Sequence, residues 1–150
     1  MKPLIVLIVS FVISCLVFYF ISHNINLYVS GRIAMAIMLL FTAMGHFMFT
    51  KGMALMVPEP LPYKEGIVQL TGIIEVGAAV GLVTPSIHYI TGVLLNIFFL
   101  LMLPANIIAA KQKINLEKGT YDGAGLSYLW FRIPLQVLFI GWVTFFAVLH

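Results

Sequence analysis

His46, Glu75, Asn106, Arg132 and Gln136 are the side chains of this sequence on which chemistry could turn, and each lies inside a long apolar stretch. Ionisable groups at membrane depth are costly and are retained mainly where they pair or act. Glu75 at such a depth needs a proton, a cation or several donors. Arg132 keeps its charge and needs an acceptor. A Glu75–Arg132 pair, with His46, Asn106 and Gln136 around it, would meet both needs. Arg132 and Gln136 are spaced i,i+4 and share a helix face, as do Thr42 and His46. Thr42, Tyr63, Gln69 and Thr71 are the candidates for the pocket edge.

Depth argues that these residues meet. At a rise of about 1.5 Å per residue, His46 and Asn106 lie roughly 6 Å from the same end of their helices. On that scale Glu75 lies roughly 13 Å in, and Arg132 and Gln136 roughly 9 and 15 Å. Four separate segments thus place polar groups in one layer on one side of the bilayer midplane. Two readings stay open: a network that only holds helices together, or one that also lines a ligand- or proton-handling pocket. Arg132 also has the option of snorkelling to the interface without a partner.

The elements that must position these groups are apolar segments. The chain is 62% hydrophobic and 9% charged, and its mean hydropathy is +1.10. Too little charge is present to cover a water-soluble domain. Segments near 3–21, 31–49, 67–84, 87–110 and 126–149 are each long enough to cross a hydrocarbon core of about 30 Å as helices. Lipid leaves open backbone unsatisfied, so helices are the expected form, and the alternation of a membrane barrel is missing. The expectation is one all-α domain over 1–150, a polytopic transmembrane helical bundle.

The connections are polar. Lys51–Gly66 carries Pro58, Pro60 and Pro62 and cannot be one continuous helix; its apolar stretch Met53–Val57 is a candidate interfacial segment. Lys111–Gly125 is a long loop. Lys2, Lys51, Lys64, Lys111, Lys113 and Lys118, 6 cations, fall on one side, against Arg32 alone on the other. The positive-inside rule then places the N-terminus in the cytoplasm and His150 outside. The first segment could alternatively be a cleaved signal; a retained helix is preferred, since the residues after Cys15 stay apolar through Ile21.

Several classes are excluded or disfavoured. A single cysteine, Cys15, rules out intramolecular disulfides, CxxC redox pairs and thiolate metal sites. His23, His46, His88 and His150 show no metal-ligand spacing. Phosphate loops, nucleophile elbows and dinucleotide fingerprints are missing. The net charge of +3 is spread between apolar runs and makes no nucleic-acid stripe. Gly77 and Gly81 form a GxxxG that would let a neighbouring helix approach. Pro104 frees the Leu100 carbonyl, and Asn96 is an expected interhelical hydrogen-bonding residue.

At these same residues the chain resembles the DoxX-like family of small bacterial integral membrane proteins. The resemblance is carried by Gly31-Arg32-Ile33-Ala34-Met35, Phe41-Thr42-Ala43-Met44-Gly45-His46-Phe47 and Met56-Val57-Pro58. It continues in Leu70-Thr71-Gly72-Ile73-Ile74-Glu75, Gly81-Leu82-Val83-Thr84-Pro85, Leu103-Pro104-Ala105-Asn106 and Arg132-Ile133-Pro134-Leu135-Gln136. It implies a four-helix DoxX-like core, to which the first helix is an addition, in a bacterial cytoplasmic (inner) membrane. The family name comes from proteins linked to thiosulfate oxidation with quinone reduction. The resemblance therefore implies an accessory or quinone-interacting subunit of a membrane redox system, with quinone as the candidate cofactor and membrane redox proteins as partners. Two alternatives stand beside it: a binder or carrier of a small amphipathic molecule or lipid, and a purely structural or assembly subunit. Whether the chain is an enzyme is left open.

Overall fold

A computed structural model describes residues 2–150. Five helices carry the chain through the bundle: α1 Lys2–Ser22, α2 Leu27–Met48, α4 Lys64–Val83, α5 His88–Lys111 and α6 Ser127–Val143, with a short α3, Thr50–Ala54, after the second. A π-helical turn, Thr144–Val148, extends α6. All five, the last taken through the π turn to Val148, are long and apolar enough to cross a membrane. Their outward faces are apolar: Ile21, Phe20, Leu101, Val137 and Val80 are exposed. A surface of that kind is solvated by acyl chains rather than water.

The helix ends differ a little from the expected bounds. The α2 helix starts at Leu27, four residues before Gly31, because the Asn26 side chain caps it by accepting from the Val29 N–H at 3.1 Å. The α4 helix starts at Lys64, directly after Pro62 and a left-handed Tyr63 (φ 52°). The last helix changes pitch at Thr144, whose hydroxyl donates to the Ile140 carbonyl at 2.7 Å. Hydroxyl back-bonding of this sort bends helices.

Packing makes α2 the hub. It lies against α1 on one side and against α4 along most of its length on the other, while α5 packs on α4, α6 and the π turn. The core holds Leu39, Met35, Met38, Leu82, Leu95 and Val143, from four helices and nearly inaccessible. The α1 helix seats Leu7 in that core and lays Phe11 edge-on to Trp142, with ring centroids 5.1 Å apart. Its main interface is with α2. The Trp142 indole N–H donates to the Gly31 carbonyl at 2.9 Å, tying α6 to the start of α2.

Both sets of loops close their own end. At the lysine-rich end Gly52 sits directly under the Leu116 carbonyl, and Lys2 pairs with Glu117 at 3.0 Å. The 112–126 connection folds back on itself through the Asn115–Thr120 bridge, turning at Gly119 (φ 65°). At the other end Tyr28 stacks on His150 at 4.2 Å. The Met53–Val57 stretch packs back on the bundle. Ala54 and Val57 are buried against Val68, because α3 turns the chain back onto α4.

Candidate functional site in the α2–α4 seam

Two hydrogen-bonding pairs, one helical turn apart on each helix, face each other across the α2–α4 seam. On α2 they are Thr42 and His46; on α4, Thr71 and Glu75. The helices run in opposite directions, so Thr42 meets Glu75 and His46 meets Thr71. The seam closes tightly because Gly72 has no side chain: a Cβ there would stand 2.8 Å from the His46 Cβ and 3.2 Å from the Phe47 ring. The stripe Val68, Thr71, Gly72, Glu75, Ala79 and Leu82 is the buried face of α4, repeating at helical spacing.

The hydrogen bonds define donors and acceptors. The Thr71 hydroxyl donates to the Val68 carbonyl at 2.7 Å. His46 Nδ1 lies 3.0 Å from the Thr71 oxygen and 3.1 Å from the Val68 carbonyl. A carbonyl only accepts, and the single Thr71 hydrogen is already committed, so Nδ1 carries the proton and donates. Nε2 lies 3.4 Å from Glu75 Oε1, at ion-pair distance. On the far side Glu75 Oε2 lies 2.8 Å from the Thr42 hydroxyl, which is also 3.0 Å from the Leu39 carbonyl.

Two arrangements satisfy every group. With Glu75 charged and Nε2 protonated, Thr42 donates to the carboxylate. With Nε2 still protonated and the carboxyl now also protonated on Oε2, Glu75 donates to Thr42, which turns its hydrogen to Leu39; the two arrangements differ by one proton. The seam can therefore hold or release a proton without leaving a buried polar atom alone, which is the usual penalty at such a site. The side chains of His46 and Glu75 remain 14% and 9% accessible, so the pair is shielded but not sealed.

The other expected members lie elsewhere. Asn106 Nδ2 donates to Gln136 Oε1 at 3.1 Å, and Gln136 Nε2 donates to the Phe99 carbonyl. These bonds bind α5 to α6 on either side of Pro104, the Phe99 carbonyl being one residue short of Leu100. The expected Glu75–Arg132 pair is not made: Glu75 takes His46 and Thr42, and Arg132 Nη1 donates to the Tyr128 hydroxyl at 3.4 Å. The reason is packing. The α4 helix lies against α2 and α5 and shares no substantial interface with α6. Four helices at one depth thus give two separate polar seams rather than one cluster.

Tyr63 and Gln69 are exposed and take no part in the seam. Gln69 stands two residues from Thr71, about 200° round the helix, and so faces the opposite way. Spacing alone marks Thr71 as i−4 from Glu75, which puts it inside the seam instead of at its edge. Gly77 also faces open space, so the GxxxG reading is half right: Gly81 approaches the Thr91 side chain of α5, and Gly72 rather than Gly77 makes the other close approach. Asn96 does bond between helices, to Thr144 at 2.9 Å.

Open clefts occur at both ends of the bundle. One, of about 510 Å³, is lined at the lysine-rich end by residues including Lys51, Tyr63, Lys64, Gln112 and Tyr121. The other, of about 540 Å³, lies at the opposite end between Phe18 and Tyr28. Neither is lined by His46, Glu75, Asn106 or Gln136. Among the described residues no three His, Cys, Asp or Glu side chains converge as metal ligands would.

One family model matches, over residues 35–147, and its description is a domain of unknown function, DUF8561. No curated protein and no solved structure matches the chain.

Proposed function

We propose that this chain, which belongs to the DUF8561 family, is a proton-exchanging accessory subunit of a membrane redox system and meets a quinone-type ligand at His46 and Glu75. The observation that carries this reading is the shielded His46–Glu75 pair, whose Thr42 and Thr71 partners satisfy it in either protonation state. A quinone carbonyl accepts a hydrogen bond, and after reduction its oxygen accepts a proton. A histidine backed by a carboxylate supplies both. The electrons come from the redox partner; the pair handles the proton.

The choice of quinone rests on the DoxX-like resemblance, whose residues include Thr42, His46, Thr71 and Glu75. The family match begins after α1, which supports reading α1 as an addition to a four-helix core; the DoxX-like character of that core rests on the resemblance alone. The lysine bias supports an orientation with the N-terminus in the cytoplasm and His150 outside; the bacterial cytoplasmic membrane rests on the DoxX-like resemblance alone.

The test is quinone binding to the purified protein in nanodiscs, with quinone-coupled respiration measured in a deletion strain. Binding that weakens about tenfold or more in Glu75→Gln supports the proposal. A protein that binds no quinone, in a strain whose respiration is unchanged, sinks it. Retention of some other amphipathic molecule would move the reading to a carrier. A structural or assembly role is the second reading, favoured because both end clefts bypass the seam. On that reading Glu75→Gln lowers stability or partner association and removes no separable activity.

A further inference from the structure

Arg132 is permanently charged, and the chain offers it no carboxylate. The 5 acidic residues are Glu59, Glu65, Glu75, Glu117 and Asp122. Glu59 pairs with Lys64, Glu75 with His46 and Glu117 with Lys2, Asp122 accepts from Thr120, and Glu65 is exposed in the first turn of α4. The guanidinium has five donors in a planar fork, and its one side-chain bond is to the Tyr128 hydroxyl, at 3.4 Å.

Position supplies the second argument. Tyr128 is one turn nearer the start of α6, so the arginine side chain runs back towards the lysine-rich end, the direction helical side chains favour. Trp130, between them in sequence, is 85% exposed. A tryptophan so placed on a spanning helix marks the headgroup boundary. The guanidinium therefore reaches the level at which phospholipid phosphates sit, and its nitrogens are not among the buried, unpartnered atoms of the chain. Tyr128 accepts from Arg132 and keeps its own hydrogen free to donate.

We propose that Arg132, with the Tyr128 hydroxyl beside it, seats the phosphodiester of an anionic phospholipid against α6. The fork takes two phosphate oxygens, the phenol donates to a third position, and the acyl chains lie along the exposed apolar side of α6, Ile133 and Val137. The site is independent of the His46–Glu75 seam.

Native mass spectrometry of the purified protein with added phosphatidylglycerol tests this. The wild type should retain one lipid through detergent release. Arg132→Ala should lower that occupancy about tenfold and Arg132→Lys, which keeps the charge but not the fork, by less. Tyr128→Phe should weaken it about two- to threefold. Lys111→Ala, at the same end, and Glu75→Gln should leave it unchanged. If Arg132→Ala does not fold, as judged by circular dichroism, Arg132→Lys and Tyr128→Phe carry the comparison. Wild-type occupancy in both Arg132→Lys and Tyr128→Phe overturns the proposal, as does an equal loss in Lys111→Ala, which would show bulk charge alone. Displacement of the lipid by equimolar inorganic phosphate would assign the site to free phosphate and also overturn it.

Discussion

Thr42 has one hydrogen and two acceptors within reach, and that small redundancy lets Glu75 change its protonation state in place. Thr42→Val removes both options while keeping shape. It should cost about 1 kcal/mol of stability, the usual scale for a hydrogen bond between membrane helices, and Thr42→Ser should recover it. Thermal unfolding in detergent reads the difference. Infrared difference spectra give a sharper readout: a protonated-carboxyl band assignable to Glu75 should shift in Thr42→Val and vanish in Glu75→Gln. Gly72→Ala acts on the same seam by crowding. The added methyl meets the His46 Cβ, a backbone-bound carbon that cannot swing away, so a loss of about 1–3 kcal/mol is expected.

At the scale of elements, the bundle is two seams fastened differently. The α2–α4 seam is held by close approach at Gly72 and carries the titratable pair. The α5–α6 seam is held by amides, and Gln136 supplies a donor to the Phe99 carbonyl, next to the Leu100 carbonyl that Pro104 leaves without its helical donor. Gln136→Leu removes that donor while keeping bulk. Faster amide exchange should follow around Phe99–Asn106, with α4 unaffected. The loop lock at Gly52 belongs to the same scale. A side chain there would strike the Leu116 carbonyl, so Gly52→Ala should loosen the 112–126 loop without melting the spans. In that loop the Thr120 hydroxyl holds the Asp122 carboxyl below the usual carboxylate range. A depressed carboxylate stabilises the folded loop above its unfolded pKa and loses this as pH falls through the folded one. The hairpin should therefore loosen only in strong acid.

For the whole molecule, sidedness is the property with the widest consequence. Lys2 meets Glu117 at one end and Tyr28 meets His150 at the other. The exposed Lys2–Glu117 pair adds little stability, but it fixes which loops share a side. In a Cys15→Ser background, a membrane-impermeant thiol reagent should label His23→Cys from one face and Lys118→Cys only from the other. Labelling of both from one face would break the five-span arrangement.

The sequence alone determined that the chain is a helical membrane bundle with five spans, and it placed their ends within a few residues. Apolar length and lysine bias are local properties, and lipid leaves the backbone no alternative to helices. It also determined which side chains stand at a costly depth, because rise per residue converts position to depth directly. What it left undetermined was the azimuth: which helix each polar face meets. Glu75 and Arg132 share a layer, yet α4 turns its stripe to α2 while α6 turns Gln136 to α5. Only tertiary packing decides this, through contacts such as Gly72 on His46 that join residues 26 positions apart. One expected cluster thereby became two seams and a solitary arginine.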